Sequence, residues 1–106
     1  MIIAITSQGP SLDSKVDPKF GRCEYFIIYD LETMKYESIN NPNARVGGGA
    51  GVQSAELMAD KNVSVVLTGN PGPKASQTFD AADIKVAPVS TGSTVQSAID
   101  EYKAGL

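Results

Sequence analysis

The chain has 106 residues, of which 42% are hydrophobic and 20% charged, and its net charge at pH 7 is −3. This size and composition favour one domain over residues 1–106. Its core is large enough to be stable without disulfide bonds or a structural metal ion. The acidic balance argues against a partner such as nucleic acid, because gripping phosphates requires a basic face. The chain has no histidine, which removes the commonest metal ligand and the commonest general base.

The cellular compartment is indicated by what the sequence lacks. Its single cysteine cannot form an internal disulfide, and no apolar run approaches the ~20 residues of a membrane span. The N-terminal "MIIAITSQGP" has no basic segment followed by a long apolar one, so it does not read as a signal peptide. We therefore expect a cytoplasmic protein with no membrane association.

The first half of the chain is typical of strands. An apolar run at residues 1–6 predicts a buried strand, and residues 7–20 hold the glycine, proline and aspartate of a long loop. Aromatic and β-branched residues at 24–30 predict a second strand. Alternation at 35–40 predicts its hairpin partner at a sheet edge. Residues 41–51 then lead into the second half.

Helices and strands alternate in the second half. A helical stripe begins at Val52, and "VSVVLT" at residues 63–68 predicts a strand buried on both faces. Pro73 suits the first turn of a second helix. A fifth strand at 84–89 precedes a third helix, for which residues 93–96 fit a capping box.

The element order β-β-β-α-β-α-β-α predicts an α/β fold. Parallel strands joined by right-handed crossovers place helices on both faces of the sheet, which gives three α/β/α layers. The expected five-stranded mixed sheet has the order 3-2-1-4-5, with strand 2 antiparallel to the rest. This is the ribonuclease H-like topology.

That topology brings several loops to one edge of the sheet. Ligands of open α/β sheets gather at the carboxyl ends of parallel strands. The loops after residues 6, 40, 68 and 89 should meet there, together with the entrance of the second strand at 20–23. These loops therefore form the predicted binding rim.

Two glycine-rich loops on this rim are candidate binding segments. Gly47, Gly48, Gly49 and Gly51 open a helix, where backbone amides can approach an anion, or they form a turn that needs positive φ. No Gly-Lys-Ser/Thr follows, so this is not a P-loop. The second loop contains Gly69, Asn70 and Gly72, and building the turn is favoured over contacting a ligand.

The third candidate segment is Phe20, Gly21, Arg22 and Cys23. A lone cysteine is more often a small buried apolar residue than a reactive one. Arg22 would favour the Cys23 thiolate if both side chains faced the same space, although adjacent strand residues usually point to opposite faces. Cys23 is the only sulfur or nitrogen candidate for a metal ligand on this rim.

A nuclease with this topology would need clustered carboxylates around paired metal ions. The first strand, "MIIAIT", has none, and Asp30 falls at the opposite edge of the sheet from the glycine loops. The catalytic set is therefore missing, and we expect a binding protein rather than an enzyme.

Five segments occur in an order typical of one family: "MIIAITSQG", "FGRCEYFIIYD", "GGGAGVQSAELM", "VVLTGNPGPKA" and "GSTVQSAIDEYKAGL". Over essentially the whole chain they resemble the dinitrogenase iron–molybdenum cofactor biosynthesis family. The resemblance implies a ribonuclease H-like domain, and a role in binding, carrying or assembling iron–molybdenum–sulfur clusters for nitrogenase. It also points to small proteins of anaerobic microbes.

The resemblance implies a carrier for an anionic iron- or molybdenum-sulfur cluster, which is delivered to an acceptor or assembly protein. Because one chain cannot supply four cysteines, the cluster would arrive preassembled and be held by the Cys23 thiolate, Arg22 and loop amides. The alternative is a regulatory module that binds a small anion or a nucleotide. Phosphodiester hydrolysis ranks lowest. The expected state is a monomer or weak dimer.

Overall fold

The computed structural model describes residues 1–90 and 92–106, which form three helices and a five-stranded sheet. The elements are β1 (Ile2–Ser7), β2 (Tyr25–Asp30), β3 (Tyr36–Asn40), α1 (Ala50–Asp60), β4 (Val65–Thr68), α2 (Pro73–Ala81), β5 (Lys85–Pro88) and α3 (Val95–Ala104). Their order in the chain is the order that the sequence predicts.

The sheet has the order β3-β2-β1-β4-β5. β2 runs antiparallel to both β1 and β3, whereas β1, β4 and β5 are parallel. In the centre, Ile5 of β1 lies beside Ile27 of β2 and Leu67 of β4. The predicted mixed α/β sheet is therefore confirmed, and the ribonuclease H-like label stays a prediction.

Alternate residues of the central strands pack into two hydrophobic cores, one on each face of the sheet. On one face Phe20, Phe26 and Phe79 pack together, with the Phe20 ring centroid 5.5 Å from that of Phe26 and 4.8 Å from that of Phe79. On the other face Ile5 and Ile99 belong to the core beneath α3. The period-2 pattern thus separates a layer with α1 and α2 from a layer with α3.

The long loop between β1 and β2 folds over the start of α3. The Val95 N–H donates to the Ser14 carbonyl at 2.9 Å, and the Gln96 N–H to the Leu12 carbonyl at 2.9 Å. The Thr94 hydroxyl accepts from the Ser97 N–H at 3.1 Å. The first amides of α3 are therefore satisfied within the protein.

Thr94 is the N-cap of α3, so the predicted capping box at residues 93–96 is wrong by one position. The loop carbonyls fix where the helix begins, and the local sequence pattern does not contain them. Part of the predicted rim loop after β5, at Thr91, lies outside the described residues. In the part of the chain that is described, no helix is both long and apolar enough to cross a membrane.

Candidate functional site

A cleft of about 460 Å³ opens where the chain enters α1 and α2. Both helices begin at the sheet edge where β3 and β4 end, and the segment that leads into β2 forms the third wall. The lining residues are Pro18, Lys19, Phe20, Gly21, Arg22, Gly49, Ala50, Gly51, Val52, Asn70, Pro71, Gly72 and Lys74. Three predicted rim segments therefore share one cavity.

Both helices that face the cleft start on a glycine. Gly49, with φ 74°, is the N-cap of α1, and Gly72, with φ 83°, is the N-cap of α2. Positive φ favours glycine, and glycine has no side chain with which to cap the following amides. Unlike α3, these two helices have no side-chain hydrogen bond at their N-caps among the described residues, and their dipoles favour negative charge there. Since Pro73 has no N–H, the first backbone donor of α2 is that of Lys74.

The cleft is lined by cations. Lys19, Arg22 and Lys74 are exposed lining residues, and none of the described residues that line the cleft is acidic. A depression of about 470 Å³ near the other end of α2 is lined by Asp80 and Asp83 as well as Lys85. The two cavities are similar in size but differ in charge, and of the two it is the cleft at the helix starts that suits an anion.

Arg22 is anchored to the loop that precedes α1. Its Nη1 donates to the Val46 carbonyl at 2.6 Å. A guanidinium carries five N–H donors, so this bond leaves most of them for a ligand. Arg22 therefore links the β2 entrance to the glycine loop on the opposite wall.

Buried polar side chains hold the β2 entrance in place. Nδ2 of Asn41 donates to the Gly21 carbonyl at 3.0 Å and to the Cys23 carbonyl at 2.9 Å. The hydroxyl of Ser54 donates to the same Gly21 carbonyl at 3.1 Å. Neither Asn41 nor Ser54 is predicted as a site residue from the sequence, because neither stands in a recognisable motif. The one signal is the position of Asn41 directly after a strand.

Cys23 belongs to the core. Its side chain is 0% exposed and packs in the layer of α1 and α2, and it does not line the cleft. Burial and then the Asp17 charge raise the thiol pKa above its ordinary value of 9.0, although hydrogen bonds from Ser7 and Asn41 oppose the shift. Arg22 is exposed while Cys23 is buried, so the two side chains do not share the space that a thiolate would need.

The predicted glycines divide into two groups. Gly49, Gly51 and Gly72 line the cleft, whereas Gly47 and Gly48 are exposed outside it. Gly69 also lies outside the lining, and a Cβ there would approach the Pro18 carbonyl oxygen to 2.9 Å. The absence of a side chain at Gly69 therefore allows the turn before α2 to pack closely against the loop at Pro18.

Asn70 lines the cleft and also builds the turn before α2. Its Oδ1 accepts from the Gly72 N–H at 3.1 Å, and its own N–H donates to the Pro18 carbonyl at 3.1 Å. Asn70 thus builds the turn, as the sequence favours, and it also forms part of the cleft wall.

The crevice between the ends of β1 and β4 is covered by the chain itself. The Thr6 hydroxyl lies 2.6 Å from the Asp17 carbonyl oxygen and 3.0 Å from the Thr68 hydroxyl. The backbones of Lys19 and Asn70 pair in an isolated parallel β-bridge across the same region. The open cavity therefore lies toward α1 and α2 rather than above the centre of the sheet.

Direct metal chelation has no donor set in the described residues. They contain no group of three or more His, Cys, Asp or Glu side chains that could hold a metal ion. What the cleft offers is positive charge, helix amides and a wall of glycine and proline. Such a site binds through charge-assisted hydrogen bonds.

A family model described as dinitrogenase iron–molybdenum cofactor matches residues 1–105. The chain belongs to this family. A curated relative, an uncharacterised protein of Methanocaldococcus jannaschii, is 37% identical over 87 residues, which cover 79% of this chain and 74% of the relative.

Two solved structures share the fold of this family member. The apo form of the orange protein from Desulfovibrio gigas has a TM-score of 0.94 and 41% identity, over 98% of this chain and 88% of the other. An NMR structure of a candidate NifB protein from Thermotoga, assigned to the DUF35 family, has a TM-score of 0.85 and 38% identity with the same coverage. Both neighbours thus share this chain's architecture.

Proposed function

We propose that this chain is a non-enzymatic carrier, which holds an anionic iron- or molybdenum-sulfur cluster in the cleft and delivers it to an acceptor or assembly protein. One observation carries the proposal. Lys19, Arg22 and Lys74 surround the same cavity as two helix starts that lack a capping side chain, and no carboxylate among the described lining residues opposes them.

The cluster is held without a bond between protein and metal. Bridging and terminal sulfides carry negative charge and accept hydrogen bonds, so they suit guanidinium, ammonium and helix N–H donors. Cys23 is left out of the proposed ligand set because its thiol is buried and its raised pKa keeps it protonated at neutral pH. The cluster therefore arrives assembled and leaves without ligand exchange at the protein.

The relatives support a cofactor-related role. The family bears the name of the iron–molybdenum cofactor, and the orange protein was solved as an apo form. The volume of about 460 Å³ is within the range of small-ligand sites, which suits a cluster of a few metal atoms.

Anaerobic reconstitution with iron, molybdate and sulfide, followed by desalting and metal analysis, tests the proposal. The expected result is a stable metal–sulfur chromophore on the wild-type protein. The variant Lys19→Gln/Arg22→Gln/Lys74→Gln should lose it. A control with Lys61→Gln, Lys85→Gln and Lys103→Gln removes three charges away from the cleft and should keep it. No metal uptake by the wild type, or equal uptake by both variants, would overturn the proposal.

The same cleft supports a second candidate, a regulatory module that binds a small anion or a nucleotide. Two adjacent helix starts are typical of phosphate sites as well. A thermal-shift screen separates the candidates, because a ligand that binds only the folded state raises the Tm. A rise with nucleotides or phosphate, without any effect of thiomolybdates, would favour this second function over the first.

A further inference from the structure

Asn41 is buried at the end of β3, with 7% of its surface exposed. Its Nδ2 donates to the carbonyls of Gly21 and Cys23, the two residues on either side of Arg22. Its Oδ1 accepts from the Asn43 N–H at 2.9 Å. The amide orientation follows from the chemistry of these partners, since a flipped amide would set its oxygen against two carbonyl oxygens.

Arg22 is thereby held at both of its ends. Its backbone is held through the flanking carbonyls, and its guanidinium is held by the Val46 carbonyl at 2.6 Å. Val46 ends the same turn that Asn41 begins, because the Asn43 carbonyl accepts from the Val46 N–H at 3.4 Å. The contacts close a ring from Asn41 through the β2 entrance, the Arg22 side chain and the turn at residues 43–46.

From this ring we infer that Asn41 is the positioning residue that presents the Arg22 guanidinium to the anion in the cleft. This inference rests on the proposed function, since it assigns the geometry of one of its three cations. Ser54 plays a smaller part. It donates only to the Gly21 carbonyl, whereas among the described residues Asn41 alone reaches both carbonyls. Because a side chain that is ordered before binding loses less conformational entropy when the ligand binds, this positioning reduces the entropic cost of binding.

A double-mutant cycle tests the inference, with tetrathiomolybdate as the probe and anaerobic equilibrium dialysis as the measurement. Asn41→Ala should weaken binding about 5- to 10-fold in the wild-type background and by the same factor in a Lys74→Gln background. In an Arg22→Gln background the same change should weaken binding less than about twofold, because the group that Asn41 positions is gone. An equal factor in all three backgrounds would show that Asn41 acts only on the fold.

A second readout needs no ligand. In the wild-type protein the NMR relaxation of the Arg22 Nε–Hε group should report an ordered side chain, and Asn41→Ala should make it mobile. Asn43→Ala is the matched control, because Asn43 is also buried and its side chain contacts the Ser54 hydroxyl at 3.5 Å but neither carbonyl beside Arg22. If Asn41→Ala does not fold, Ser54→Ala should give the same change to a smaller degree. An Arg22 side chain that stays ordered in folded Asn41→Ala would overturn the inference.

These outcomes separate the two proposals. Failure of the wild type to bind any metal–sulfur probe counts against the carrier function, and the relaxation of Arg22 then still decides the role of Asn41. Binding by the wild type together with an additive cycle counts against the role of Asn41 alone.

Discussion

The backbones of Gly21 and Gly51 lie so close together that a Cβ on Gly21 would sit 2.8 Å from both the Cα and the N of Gly51. This contact joins the β2 entrance to the first turn of α1 at the wall of the cleft. On its other side Gly51 faces α2, because a Cβ on Gly51 would lie 3.5 Å from the Cβ of Ala75. Three elements of the cleft therefore meet at one glycine pair.

Gly21→Ala should both destabilise the protein and weaken ligand binding. The atoms in the way belong to backbone, so the loop or α1 must move, and overpacking of this kind costs about 1–3 kcal/mol. Gly48→Ala is the control, since a Cβ there meets nothing within 4 Å and its φ is not positive. Denaturant unfolding should show a change within about 0.5 kcal/mol for Gly48→Ala. Equal stabilities of the two variants would contradict the close contact.

The Cys23 thiol should be inert in the folded protein. It is buried and protonated, while a thiol reagent requires an accessible thiolate. Reaction with Ellman's reagent at neutral pH should be slow under native conditions and rapid in denaturant. In metal reconstitution, Cys23→Ser should keep the stoichiometry and spectrum of the wild type. A lost or shifted chromophore in that variant would restore the thiolate as a ligand.

Cys23 should also make stability fall at high pH. Burial raises its pKa in the folded state above the value of 9.0 that the unfolded chain has. Below pH 9.0 the thiol is protonated in both states, and above it only the unfolded state releases the proton. Proton release stabilises the unfolded state, so the free energy of unfolding falls as the pH rises. From about pH 8 to about pH 10 the wild type should lose on the order of 1 kcal/mol more of its free energy of unfolding than Cys23→Ala does. Parallel pH profiles of the two proteins would contradict this.

Charge at the cleft should control anion affinity in a salt-dependent way. Lys74 is exposed at the start of α2 and lines the cavity, so Lys74→Gln should weaken tetrathiomolybdate binding several-fold at low salt. The difference should shrink between about 0.01 M and about 1 M salt, because screening shortens the reach of an exposed charge. Lys103→Gln is the control. Lys103 lies on α3 over the Tyr29 ring, 5.9 Å from its centroid, and its loss should leave binding unchanged. Equal effects of the two variants would exclude a local role of Lys74.

The sequence predicts most of the fold because the relevant signals are local. A continuous apolar run at 63–68 contains β4, and alternation at 35–40 contains β3, since strand periodicity is written in neighbouring residues. Element ends are less local. The N-cap of α3 lies one residue after the predicted one, because the carbonyls of Leu12 and Ser14, some 80 residues away in the chain, accept from the first amides of the helix.

The candidate site was predictable only as a set of loops. Strand order brings 20–23, 47–51 and 69–72 to one edge of the sheet, and the sequence pattern contains that order. The pattern does not contain which loop residues face the cavity. Gly49 and Gly51 line the cleft while Gly47 and Gly48 do not, and this depends on where the first turn of α1 meets Gly21.

By itself, then, the sequence determined the α/β architecture, the family and the three segments that contribute to the candidate site. Only the tertiary structure decided that Cys23 lies in the core and Arg22 in the cleft, because adjacent residues at the strand entrance turn to opposite sides. It also decided the hydrogen bonds of Asn41, whose partners at residues 21 and 23 come within reach only when β3 pairs with β2. Periodicity records the face on which a residue lies, whereas contacts between distant segments exist only after the chain has folded.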